Sequence, residues 1–162
     1  MTEPAGSRPP APLERGLPGA GQRLFAAAWC MALLTVLVVA AWLEPSPAGH
    51  GTHEQLRLRS GIGLQACSWA MITGQPCPTC GMTTAFAHAA NGDLVASFRA
   101  QPAGMLMALA SATGVFICGH IAFFGSRLGA ALSPALNGKT LAGALALLGL
   151  AWVYKIAVWP GL

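Results

Sequence analysis

Charge is what this sequence has least of. Its 162 residues include nine Lys or Arg and five Asp or Glu, 9% in all, against about 25% in an ordinary soluble domain. So few charges cannot keep a globule of this size in water. With 54% apolar residues, lipid is the expected solvent. The basic residues are scattered singly, so no positive stripe could follow a phosphate backbone, and nucleic acid is not an expected partner. Catalytic signatures are scarce too. Neither TGQPCPTCG nor LNGKT has the spacing of a phosphate-binding loop, and no Ser/His/Asp signature is present.

What is present is three long apolar runs. Leu24–Leu43 holds 20 residues without a charge, which at 1.5 Å per residue matches a hydrocarbon layer of about 30 Å. It exceeds the roughly 7–15 residues of a signal-peptide core, so we read it as a retained span. The second run covers about 102–125 and the third about 140–159. Near the end of the third, Trp152, Tyr154 and Trp159 have the look of an interfacial aromatic belt, and Lys155 is placed to snorkel toward headgroups. Residues 1–22, rich in Pro, Gly and Ala with no apolar period, read as a disordered tail ahead of a single membrane domain over 23–162. Arg8, Arg15 and Arg23 before the first span, and Arg127 and Lys139 between the second and third, put both flanks on the cytoplasmic side. Residues 44–101 then face outward, which makes this an inner-membrane protein with a periplasmic or extracytoplasmic segment. The bilayer is the expected partner, along with a second copy or another membrane protein.

That outward segment carries the chemistry-bearing residues. His50 and His53 lie in a Pro/Gly-broken loop and read as solvated. The apolar stretch over 60–74, with Cys67 in its middle, is too short to span and suits an interfacial or re-entrant helix. Gly74 turns the chain. The spacing then predicts a helix from Cys77 to Ala90, with Cys77 at the N-cap, Pro78 at the first helical position and Cys80 one turn in. Gly81, Thr84 and His88 share the cysteine face of that helix, and Met82 and Phe86 lie opposite. Asn91 and Gly92 stop it, and Asp93 caps a second short helix over 94–100. The expected fold is an all-α integral membrane protein, three transmembrane helices with a Cys-containing helical hairpin over about 60–100 between the first two.

Three readings of Cys67, Cys77 and Cys80 stay open. They fix the fold of a short hairpin with little core of its own, in a structural or interaction role. They form a thiol–disulfide oxidoreductase, with Cys77 activated at a helix N-terminus, Cys80 resolving, and Thr84 and His88 tuning or shuttling protons. Or they bind metal, zinc being the candidate, with Cys67 joining the pair and the fourth ligand unassigned. Cys30 and Cys118, inside spans, read as small apolar fillers.

The same residues carry a family resemblance. Cys67, Thr73-Gly74, Cys77-Pro78, Cys80-Gly81, Thr83, Ala85, Gly92-Asp93 and Gln101-Pro102 resemble the pattern of small bacterial membrane proteins grouped as domain of unknown function 2752. The likeness covers about 62–125. It implies a multi-span membrane protein and no particular reaction. Thr84 stands where that family often has arginine, so an activity that needs a guanidinium there does not carry over.

Overall fold

The computed structural model describes residues 18–55, 67–126, 128 and 137–159. The expected tail over 1–17 and the helix over 60–66 lie outside the described residues, as do Arg57, Arg59, Arg127 and Pro160. Among the described residues all regular structure is helical. Its helices are α1 (Ala20–Trp42), α2 (Ser68–Thr73), α3 (Met82–Ala90), α4 (Leu94–Ala100), α5 (Pro102–Phe124) and α6 (Gly138–Ala157), with a 3-10 turn at Thr52–Gln55. Helices α1, α5 and α6 are long and apolar enough to cross a membrane. α1 takes Ala20, Gly21 and Gln22 out of the expected tail, and α6 runs two residues earlier at each end than the expected 140–159.

The principal packing is α1 against α5, and small residues set it. A Cβ on Gly114 would stand 2.8 Å from Leu33 Cδ1, and one on Gly119 3.6 Å from Cys30 Sγ. Close helix approach over small residues is how spans associate where lipid supplies no hydrophobic driving force. Cys30 sits in that contact, its Sγ 3.5 Å from Val115 O. At the far end Arg23 donates to Ala122 O and Phe123 O, both at 3.0 Å, and so satisfies orphan carbonyls at the end of α5. Gly125, at φ +61°, closes that helix.

Helices α3 and α4 form a hairpin seated on the start of α5, with a core made largely of alanine. Ala85, Ala87, Ala100 and Ala103 are buried. Asp93 Oδ1 accepts from Ala96 N–H at 2.9 Å and caps α4. Ser97 Oγ donates to Ala85 O at 2.7 Å across the hairpin. The 3-10 turn is pinned to α3 by the buried pair Thr52 Oγ1 and Thr84 Oγ1, 2.8 Å apart. Ile72, Phe123 and Trp42 are among the apolar side chains left outside, as lipid-facing residues are.

The tightest helix approach is at Gly104, where a Cβ would lie 2.7 Å from Ala85 Cβ and 3.3 Å from Met82 Sδ. Gly143 has nothing within 4 Å. Gly104→Ala is expected to destabilise the detergent-solubilised protein by about 1–3 kcal/mol through overpacking. Gly143→Ala should be neutral or slightly stabilising. Equal unfolding midpoints for the two variants would contradict this packing.

Candidate functional site

The C-terminal end of α6 is a row of hydrogen-bond donors turned toward the cysteine segment. Trp152 Nε1 donates to Pro76 O at 2.9 Å, and Trp159 Nε1 to Gly74 O at 3.1 Å. Tyr154 Oη is 3.4 Å from Arg99 O. Lys155 does not snorkel. It is 2% exposed, and its Nζ donates to Gly49 O and Ala100 O, both at 3.0 Å. Burial decides this: the ammonium reaches backbone carbonyls of two other segments sooner than it would reach water. Among the described residues no carboxylate pairs with it. Trp159 adds a cation–π contact at 5.6 Å.

Those donors hold a turn, which replaces the expected helix start. α3 begins at Met82, with Gly81 as N-cap at φ +85°. Cys77 is therefore not a helix cap, and Pro78 is a turn residue whose carbonyl accepts from Gln101 Nε2 at 3.0 Å. Cys80 N–H closes the turn onto Cys77 O at 3.0 Å. Gly81 is required twice over. Its φ excludes ordinary side chains, and a Cβ would stand 2.7 Å from Gly49 O, 2.9 Å from Ala100 O and 3.1 Å from Lys155 Nζ. Cys67 is the N-cap of α2 and not the mid-helix residue expected; Gly74, at φ +68°, ends that helix.

The turn brings the three sulfurs together. Cys67, Cys77 and Cys80 place their Sγ atoms within 4.8 Å of one another. Cys77 Sγ is 3.2 Å from Cys80 Sγ and 3.3 Å from Thr79 Oγ1, and Cys77 N–H lies 3.3 Å from Cys80 Sγ. The two thiols differ in acidity. Burial raises the Cys77 thiol, but hydrogen bonds from Thr79, Cys80 and Cys67 together outweigh it and hold the group below its ordinary value. Burial pushes Cys80 up to about 12, and its hydrogen bond with Cys77 and the charge there add to the rise.

The sulfurs open on a cavity of about 310 Å³ whose lining also includes His50, His53, Glu54 and Trp159. These histidines are therefore not simple solvated loop residues. His88 is elsewhere: with Arg99, Tyr154 and Lys155 it lines a separate cavity of about 640 Å³. Thr84 Oγ1 is spent on Thr52. The one-faced stripe expected of a helix from Cys77 to His88 does not form, because the cysteines are not on that helix.

The three cysteines open a stretch with a known relation. Residues 67–115 match the model of a family described as a protein of unknown function (DUF2752). The match runs from Cys67 to just past the middle of α5. No curated protein and no solved structure matches. A family of unknown function lends no reaction to the site, so its chemistry is argued from the geometry.

Two outcomes follow. In metal-free, reduced protein near pH 8, a maleimide should label Cys77 at least ~10-fold faster than Cys80, since the larger thiolate fraction outweighs the lower nucleophilicity of the more acidic thiol. Site-resolved mass spectrometry reads this, and equal rates would contradict the acidity split. Lys155→Met should leave Gly49 O and Ala100 O without donors and destabilise the protein by about 1–3 kcal/mol, with faster proteolysis in the 44–51 loop. Unchanged proteolysis and stability would show that the ammonium is no anchor.

Proposed function

We propose that this membrane protein binds a soft metal ion through Cys67, Cys77 and Cys80, and that the ion ties α2 to the turn before α3. The observation that carries this reading is the convergence of three sulfurs from two segments. Zinc–sulfur bonds are about 2.3 Å, so sulfurs sharing a tetrahedral ion stand about 3.8 Å apart. Mutual separations within 4.8 Å need only small side-chain adjustments to reach that value. Binding converts three thiols to thiolates and releases three protons. The result is the crosslink that a hairpin with an alanine core lacks. We place the site at the outer face of the inner membrane, with the start of α1 in the cytoplasm; Arg23 and Lys139 at the opposite ends of α1 and α6 support that orientation.

A second reading is thiol–disulfide exchange, supported by the acidity split. The Cys77 thiolate would attack a partner disulfide and expel one partner thiolate. Cys80, losing its proton to solvent base, would then attack Cys77 Sγ and release the other. The partner gains two electrons and the chain ends with a Cys77–Cys80 disulfide. The helix-dipole activation that would favour this route is weakened by the helix starting at Met82.

Full-length protein purified in detergent under reductant and titrated with zinc against a competing chelator should hold one equivalent at neutral pH, and Cys67→Ser should lose it. No stoichiometric zinc, combined with a mixed disulfide trapped in Cys80→Ala but not in Cys77→Ala, would replace the metal reading with exchange.

A further inference from the structure

We infer that His50 supplies the fourth ligand and completes a Cys3His site for a divalent ion such as zinc. The inference rests on the metal reading above and names the residue that closes the site. A structural thiolate site for zinc takes four ligands in a tetrahedron, and three sulfurs leave one position open. All three cysteines line one cavity together with His50. The hydrogen bonding of the imidazole suits the task. His50 Nδ1 is 3.0 Å from Ala48 O, and a carbonyl can only accept, so Nδ1 carries the proton. In the neutral ring Nε2 then keeps its lone pair. A backbone carbonyl on one nitrogen that leaves the other for the metal is the usual outer-shell arrangement of a ligating histidine. The ring also packs against Trp159, with centroids 4.6 Å apart, which limits where it can point.

The imidazole lies outside the 4.8 Å sulfur cluster, so ligation needs it to swing inward. His50 stands between Gly49 at φ +72° and Gly51 at φ +82°, and Lys155 anchors the loop through Gly49 O. The loop thus has a fixed point on one side of His50 and a glycine on the other. Glu54 shares the cavity wall, but its carboxylate lies back toward Gly51, where a Cβ would meet Oε1 at 3.0 Å. A carboxylate oxygen also suits a thiolate set less well than imidazole does.

X-ray absorption on the zinc-loaded full chain in detergent tests this. The expected wild-type spectrum has three sulfurs at about 2.3 Å and one nitrogen at about 2.0–2.1 Å, with imidazole outer-shell scattering. His50→Ala should keep the sulfurs, lose the imidazole scattering and bind zinc ~100-fold more weakly or worse, since loss of an outer-shell partner alone costs about 10–100-fold. His53→Ala should keep both the scattering and the affinity. Imidazole scattering that survives in His50→Ala or disappears in His53→Ala overturns the assignment, as does a wild-type site with three sulfurs and no imidazole; in each case the metal reading stands. A wild-type chain that holds no zinc overturns both.

Discussion

The cysteine-bearing end of this protein is organised around one ammonium group in a cage of carbonyls. Lys155 sits on an apolar helix, is buried, and donates to Gly49 O and Ala100 O. A charge in such a place is costly unless its hydrogen bonds are made, so the loop after α1 and the end of α4 are held to it. Helix α6 makes few backbone-level contacts with the other spans. Its docking therefore rests on side-chain donors, chiefly Lys155 with Trp152 and Trp159 on either side. Gly81 follows from the same constraint, because any Cβ there would enter the space between the ammonium and its two carbonyls. One lysine thus accounts for where α6 docks, why the 44–51 loop is ordered and why a glycine follows Cys80.

The thiol geometry is downstream of that cage. With Gly81 fixed in the left-handed region, the chain cannot run as a helix through Cys77 to Met82, and it folds a turn instead. The turn presents Cys77 and Cys80 side by side and leaves Cys67, at the start of α2, to meet them. Pro76 O and Gly74 O are held by tryptophan donors, and Pro78 O by Gln101. Three held backbone carbonyls therefore fix the stretch that carries Cys77 and Cys80. Such preorganisation is what a metal centre or an exchange site needs, and a hairpin with alanine packing would not supply it unaided.

The spans were legible because length and uninterrupted apolarity are strong signals, and α4 was legible to the residue because Asp93 and Pro102 mark its two ends. The start of α3 was misread for a physical reason. Cys77-Pro78 imitates an N-cap followed by proline at the first helical position, and local sequence cannot distinguish that from a turn closed four residues later by a glycine at positive φ. Lys155 was misread in the same way. Its place near the end of an apolar run fits snorkelling, and only the tertiary arrangement shows two carbonyls nearer than water. His50 lacked any periodic pattern. Its signal was the flanking pair Gly49 and Gly51, which marks a tight loop and says nothing of what the loop faces. Thr52 was missed as the buried partner of Thr84, since a single threonine in a loop carries no such information.

Charge balance links the cage to the cluster. Lys155 is a cation without a carboxylate partner among the described residues, and it lies beside the cysteine turn: a Cβ on Gly81, the residue after Cys80, would stand 3.1 Å from its Nζ. Three thiolates around a divalent ion leave one negative charge, which imidazole ligation does not change. On the metal reading, the neighbouring ammonium would offset that charge and leave the assembly as a whole neutral. A monovalent ion in the same three thiolates would leave a second negative charge with no partner, at a cost that rises as the dielectric falls. On the metal reading, the arrangement would favour a divalent ion over a monovalent one on electrostatic grounds, although soft thiolates alone would accept either. Metal-free, the cluster can relieve the same pressure by keeping Cys80 protonated, the direction in which its acidity is shifted.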